Sequence, residues 1–337
     1  TSLEHLFRSW DKFKRAKRKR KDVQCFERHL EDNIFQLHQD LITFQYQHAP
    51  YDQFYVNEPK QRHISKSQVR DRLVHQAIFD ILCDFFDKKF IFHSLSSRLG
   101  KGTHVGVEQL NVMIRKISQN GKLLCYALKM DIRRFFDTID HQILKALLQK
   151  NIHDEKALLL IDSVIDSFYV TSGVSGNAGI PLGNVTSQLF ANIYLHELDD
   201  FVKQTLREKY YLRYCDDFII LSNDASHLKH LIGSVEKFLR ESLRLELHPK
   251  KVTITKLSQG IDFIGSVLFE HHILTRNRTK QRMKTRLAEA YENYFIGKIS
   301  PASMDQKLQS YLGILSHANQ HDLSIALKNN YWIREPL

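Results

Sequence analysis

The sequence predicts an α+β chain of several subdomains, and three observations carry that prediction. Long stretches hold apolar residues at helical spacing, an apolar strand run ends on Asp131, and two apolar strand segments flank the pair Asp216-Asp217 as a hairpin would. A length of 337 residues with 42% hydrophobic content is enough to bury a substantial core and suits two or three subdomains.

Taken in order, residues 1 to 48 space Leu30, Ile34, Leu37, Leu41 and Phe44 three or four apart, which reads as amphipathic helix. From Pro50 to Ser65 two short strands flank a turn at Pro59, and Ser67 to Phe92 returns to helical periodicity. Arg98-Leu-Gly-Lys-Gly-Thr-His104 is glycine-rich and basic and opens another helix; it lacks the Walker spacing of a phosphate loop. Leu123 to Ile132 reads as a buried strand that delivers Asp131 where it emerges. A helix follows from about Ile139, two helices fill 141 to 168, and Gly173 to Gly183 is a loop leading into a helix from Thr186 to Arg207. Tyr210 to Ser222 is the hairpin that carries Asp216-Asp217 at its turn. A helix over 226 to 243, the pair Lys250-Lys251, a strand pair around Gly260 to Phe269 and a basic helical end from about Thr279 complete the chain.

The formal net charge is +11, and an excess of that size favours a polyanionic partner, because each neutralised phosphate releases condensed counterions. Much of it lies in one run: Lys12, Lys14, Arg15, Lys17, Arg18, Lys19, Arg20 and Lys21. The four cysteines, Cys25, Cys83, Cys125 and Cys215, have neither CxxC nor Cys/His spacing, which argues against a zinc site and against a disulfide framework. With no apolar run near the roughly 20 residues that span a bilayer and no signal-peptide order at the start, the expected setting is soluble and cytoplasmic.

Phosphoryl transfer from a nucleoside triphosphate needs charge neutralised on the attacking and leaving oxygens, which two divalent cations about 3.5–4 Å apart accomplish. Such cations take oxygen ligands, so the protein need supply only a few carboxylates. Asp131 at one strand end and Asp216-Asp217 at a hairpin tip would meet on adjacent strands, where they would repel one another without a cation between them.

Four motifs in order carry a family resemblance. Asp131-Ile-Arg-Arg-Phe-Phe-Asp-Thr-Ile-Asp-His141 resembles the first aspartate motif of reverse transcriptases, and Tyr214-Cys-Asp-Asp217 resembles their YxDD box. Between them Gly179-Ile-Pro-Leu-Gly-Asn-Val-Thr-Ser-Gln-Leu-Phe-Ala-Asn192 is similar to the palm helix segment, and Gly260-Ile-Asp-Phe-Ile-Gly265 to the primer-grip hairpin. Within the family the chain resembles the enzymes of diversity-generating retroelements. It has Leu182-Gly183 and Ser187-Gln188 where group II intron and retroviral enzymes typically have Gln-Gly and Ser-Pro. It also shares the blocks Glu58 to Ser65, Arg70 to His75 and Gly100 to His104.

The resemblance implies a right-hand polymerase fold with fingers, an antiparallel palm sheet and a short helical thumb. It divides the chain into a basic helical region (1–49), fingers (50–125), palm (126–258) and primer-grip hairpin with thumb (259–337). It implies two magnesium ions, with manganese as a substitute, on Asp131, Asp216, Asp217 and the Ile132 carbonyl. Lys60, Arg62, Arg134, Phe135, Phe136, Leu182 and Gly183 become nucleotide-binding positions, with Phe136 excluding a 2′-hydroxyl. Leu182, Ser187, Gln188 and Arg98 become template or fidelity positions, and Lys250 or Lys251 the general acid. Lys14, Arg15, Lys17, Arg18, Lys19 and Arg20 become RNA contacts. The implied partners are template RNA, primer, deoxynucleoside triphosphates and a small basic accessory protein, the accessory variability determinant, in a bacterial or phage setting. The implied activity is error-prone copying of RNA into DNA with errors concentrated at adenines, Leu182 offering the nucleotide shape alone where a glutamine would hydrogen-bond. Two alternatives are a defence-associated or group II intron-like reverse transcriptase, and a non-catalytic RNA-binding scaffold on the same fold.

Overall fold

The computed structural model describes residues 2–57, 61–170 and 177–331. The N-terminal periodicity resolves into three helices, α1 (Leu3–Phe13), α2 (Lys21–Arg28) and α3 (Leu30–Ile42). The basic run forms the turn between α1 and α2. The apolar face of α1, Leu6, Trp10 and Phe13, is buried at helical spacing. An exposed strand, β1 (Asp52–Val56), and β2 (Arg62–Lys66), whose second half is buried or half-buried, then pair antiparallel as a two-stranded hairpin, its tip lying outside the described residues. Helix α4 (Val69–Phe86) packs along α1, and α5 (Thr103–Ile117) starts at the glycine-rich segment.

The strand leading to Asp131 is β3 (Tyr126–Asp131). A one-turn helix α6 (Phe135–Thr138), α7 (His141–Gln149), α8 (Glu155–Asp166) and α9 (Val185–Asp200) follow, α9 running on into a π-helical turn at Phe201–Thr205. The hairpin is β4 (Tyr211–Tyr214) and β5 (Asp217–Ser222), followed by α10 (Ala225–Leu243). Strand β6 (Thr253–Lys256), which the sequence pattern does not predict, joins the sheet on the far side of β3. The antiparallel order is β4-β5-β3-β6. Both faces are buried by strict alternation: Leu128, Met130, Phe218 and Ile220 enter one core with the helices, whereas Ala127, Leu212, Ile219 and Leu221 enter a second core with α5.

The expected strand pair after Gly260 is a three-stranded meander, β7 (Ile261–Phe263), β8 (Ser266–Leu268) and β9 (Ile273–Thr275). Gly260 turns into it at φ +84°, where an added Cβ would fall 2.6 Å from Val267 Cγ1. Helices α11 (Asn277–Phe295), α12 (Pro301–Leu315) and α13 (His321–Asn330), where the thumb is expected, have an apolar cluster of their own around Met283, Leu287, Met304 and Leu308. Their links to the rest include the Arg276–Asp262 ion pair, the Asn319 Oδ1 that accepts from Ile273 N–H at 2.9 Å, and the rings of His104 and His317, stacked with centroids 3.7 Å apart. By contrast α1 and α3 share one continuous core with α4 and the sheet, so the first 49 residues own no separate core. Among the described residues no helix is long and apolar enough to cross a membrane.

Candidate active site

Register brings the three aspartates together. In the antiparallel pairing of β3 with β5, Asp131 stands opposite Asp217. Tyr214 pairs with Asp217, leaving Cys215 and Asp216 as a two-residue turn. Cys215 takes φ +56°, a conformation that glycine usually supplies at the first turn position. Ile132 N–H donates to the Asp216 carbonyl at 3.3 Å, tying the turn to the end of β3.

A second segment closes over Asp131. Arg133 N–H donates to the Glu246 carbonyl, and His248 N–H donates to the Asp131 carbonyl at 2.7 Å. The turn that follows, closed by Lys251 N–H on the His248 carbonyl, sets Lys251 Nζ 2.7 Å from each Asp131 carboxylate oxygen. Lys129 Nζ lies 3.9 Å from Asp217.

Burial governs the charges. Asp131 is 5% exposed. Burial first, and the Asp131 charge second, push the Asp216 carboxyl up. Burial pushes Asp217 up to about 6 against the pull of Lys129, with Asp131 and Asp216 adding to the rise. Among the described residues no three Asp, Glu, His or Cys side chains stand as a finished metal cage. Lys251 already occupies both oxygens of Asp131. The donors are nonetheless hard carboxylate oxygens, crowded until their own ionisation is opposed, which is the environment a divalent cation relieves.

The remaining sequence-predicted residues divide into groups. Lys60 lies outside the described residues, and Arg62 is exposed on β2. The hairpin is held to the loop before α9 by Ser65 N–H donating to the Leu182 carbonyl at 3.3 Å; Gly183, at φ +122°, is exposed beside Ile64. Arg134 is exposed and paired with Asp137 at 3.0 Å. Phe136 is half-buried on α6, with its carbonyl accepting from Ile180 N–H. Three of these side chains are turned inward. Phe135 is 2% exposed and packs into the main core, which leaves its side chain inside and only its backbone toward the surface of the one-turn helix that presents Phe136. Ser187 is 2% exposed on the inner face of α9, so Gln188 alone of that pair reaches an open cavity. Arg98 is 8% exposed at its side chain and braces its own loop, donating to Asp87, Ile91 and Ser94 rather than facing a template.

Of the paired candidates, Lys251 is at the site and Lys250 is exposed. In the basic turn, Lys14 is engaged by Asp11 and Glu27, while Arg15, Arg18, Lys19 and Arg20 are exposed. Lys17 turns inward over the Phe13 ring. It lines a cavity of about 230 Å³ with Arg72, Asn184, Gly183 and Gln188. Burial, then the charges of Arg72 and Arg20, push the Lys17 ammonium down. Sequence reasoning gave no role to Arg72, one charge of the Arg70-Asp71-Arg72 cluster that opens α4, or to Lys129, a lone charge in the apolar run that ends on Asp131.

A family model for reverse transcriptase (RNA-dependent DNA polymerase) matches residues 56–268, well over half the chain. The chain belongs to the reverse transcriptase family. Its matched segment is an RNA-directed DNA polymerase domain, and the chain as a whole has the right-hand polymerase fold. Members of the family work with divalent metal ions, which the three carboxylates suit. Among relatives, protein YkfC of Escherichia coli (strain K12) is 22% identical over 281 residues, covering 72% of this chain and 71% of that protein. The group II intron-encoded protein LtrA of Lactococcus lactis subsp. cremoris is 27% identical over 236 residues, covering 67% and 38%. Telomerase from Candida tropicalis, solved with a TWJ fragment of telomeric RNA, superposes with a TM-score of 0.52 at 12% identity, covering 88% of this chain and 58% of that one. This reverse transcriptase therefore spans little more than a third of LtrA and over half of the telomerase chain.

Proposed function

We propose that the protein copies RNA into DNA by extending a primer, with Asp131, Asp216 and Asp217 as the carboxylates of the reacting centre. The observation that carries this is the β3–β5 register, which sets Asp131 against Asp217 beside the turn bearing Asp216. Two magnesium ions held by these carboxylates and the Ile132 carbonyl, with manganese as a substitute, would neutralise charge on the attacking hydroxyl and the transferred phosphate. The chain's own groups do the rest. Phe136 stands after β3 as the bulk that excludes a 2′-hydroxyl, and Arg62, with Lys60, offers charge-assisted bonds to the triphosphate. Lys251 is the ammonium placed to hand a proton to departing pyrophosphate. The cavity of Lys17 and Arg72 seats template backbone, and the exposed arginines of the same turn extend that track.

The finer reading is mutagenic copying in a diversity-generating retroelement, with a small basic accessory protein as partner. It rests on Leu182, which is half-buried, is tied to the fingers hairpin through its carbonyl, and offers an apolar side chain that gives the base-pairing position shape without a hydrogen bond. A second reading, a group II intron-like enzyme of ordinary fidelity, is favoured by the likeness to LtrA. Magnesium-dependent extension of a DNA primer on RNA tests the whole: extension lost in Asp216→Asn supports polymerisation. Absence of extension with every template and accessory protein tried would leave an RNA-binding scaffold. Sequenced product separates the finer readings, since adenine errors no commoner than others would sink the mutagenic one.

A further inference from the structure

Arg213 is a fully buried side chain at the end of β4, and each of its five N–H donors has an acceptor. Nε and Nη2 grip the buried Asp199 carboxylate at 2.8 and 2.7 Å, and Nη2 also donates to Ser94 Oγ at 2.9 Å. Nη1 donates to Asn192 Oδ1 at 3.2 Å and to the Cys215 carbonyl at 3.1 Å. The anchors are themselves held: Tyr211 Oη donates to Asp199 at 2.6 Å, and Asn192 Nδ2 donates to the Ser96 carbonyl. A buried ion pair is a poor way to gain stability, because well-packed apolar residues in its place are often neutral or better. What an apolar residue cannot do is hold a carbonyl.

That carbonyl matters because it shares a peptide plane with the Asp216 amide. Cys215 sits at φ +56°, a costly conformation for a residue with a Cβ, and surrounding contacts must hold it there. Ile132 N–H holds the far side of Asp216. We propose that Arg213 is a positioning residue: its guanidinium, braced on Asp199, straps the Cys215 carbonyl and so fixes the direction in which Asp216 presents its carboxylate. The strap is a rigid fork, so lysine, a single-point donor, cannot grip Asp199 and the carbonyl together. The proposal rests on the reading of Asp216 as a site carboxylate.

The experiment compares the full chain with Arg213→Lys, with the charge-free pair Arg213→Met/Asp199→Leu, and with Tyr211→Phe as a control that removes a brace on Asp199 but leaves the strap. Hydrogen exchange of the β4–β5 hairpin is read without metal, Mn²⁺ binding is read by electron paramagnetic resonance, and primer extension is read last. Loss of one charge-assisted bond predicts about tenfold faster hairpin exchange and about tenfold weaker Mn²⁺ binding in Arg213→Lys, with kcat lowered and primer–template KM unchanged. Tyr211→Phe lowers Tm and leaves Mn²⁺ binding as in the native chain. If Arg213→Lys does not fold, the charge-free pair carries the same expectations. Native exchange and native Mn²⁺ affinity in a folded strap variant would overturn the proposal, as would an equal Mn²⁺ loss in Tyr211→Phe. A native chain that neither binds Mn²⁺ nor extends primers, while strap variants still loosen the hairpin, overturns the polymerase reading and leaves the strap standing.

Discussion

At the scale of single residues, the carboxylates are held in tension with their surroundings. Asp217 has its carboxyl pushed up to about 6 by burial and by its acidic neighbours, above the ordinary value of 3.8. A group whose value is raised on folding contributes stability that is complete below the unfolded value and is lost as pH rises through the folded one. The metal-free protein should therefore lose stability from about pH 4 to above 6, and Asp217→Asn should remove much of that slope in thermal melts taken across the range. Added magnesium should restore Tm at neutral pH in the native chain but not in the variant. Lys251 is the complementary case. Its ammonium lies on both oxygens of Asp131, the place a cation would compete for. Lys251→Met should bind Mn²⁺ more tightly while extending primers more slowly by about 10²-fold or more. Weaker binding with an unchanged rate would show that the lysine is only a structural counter-ion.

At the scale of elements, the meander after β6 depends on one residue. Gly260 turns the chain at φ +84° against Val267 and Phe269, so Gly260→Ala should cost about 1–2 kcal/mol in urea unfolding. It should also raise the KM for primer–template, since the meander is the proposed primer grip, and leave the magnesium requirement unchanged. The elements best legible in the sequence were those whose pattern is local. Cys125 to Met130 is an apolar run broken only by Lys129 because β3 is central and buried on both faces, and Asp216-Asp217 interrupts two such runs. Strand β6 was not legible: Thr253 to Lys256 is short, half-polar and at a sheet edge, and only its pairing with β3 makes it a strand. Phe135 and Phe136 are neighbours of one type, so which of them faces the site depends on the turn of α6. Ser187 and Gln188 likewise separate only by the face of α9 each occupies. Arg98 and Arg213 look like surface cations in a sequence: Arg98 is absorbed by carbonyls and a carboxylate of its own irregular loop, which carry no periodic signal, and Arg213 by acceptors from α9 and from Ser94 far away in the chain.

At the scale of the whole molecule, the +11 charge is concentrated where the template is proposed to run. Reversing Arg15, Arg18, Lys19 and Arg20 should weaken single-stranded RNA binding across all sequences. It should also flatten the plot of log K against log salt by about 0.7 for each phosphate that the protein no longer neutralises. Binding titrations at several salt concentrations check this, and an unchanged slope would place the RNA elsewhere. The thumb, with its own apolar cluster, meets the glycine-rich segment through the stacked rings of His104 and His317. Burial, then His317, holds the His104 imidazole below its usual value, because the stack favours the uncharged ring. Such a contact is complete at neutral pH and comes apart as acid charges it. The contact between the glycine-rich loop and the C-terminal helices should therefore be an acid-sensitive clasp: fluorophores placed on the two should move apart as pH falls through the lowered imidazole value, and the cleft between them should slacken into an open cradle.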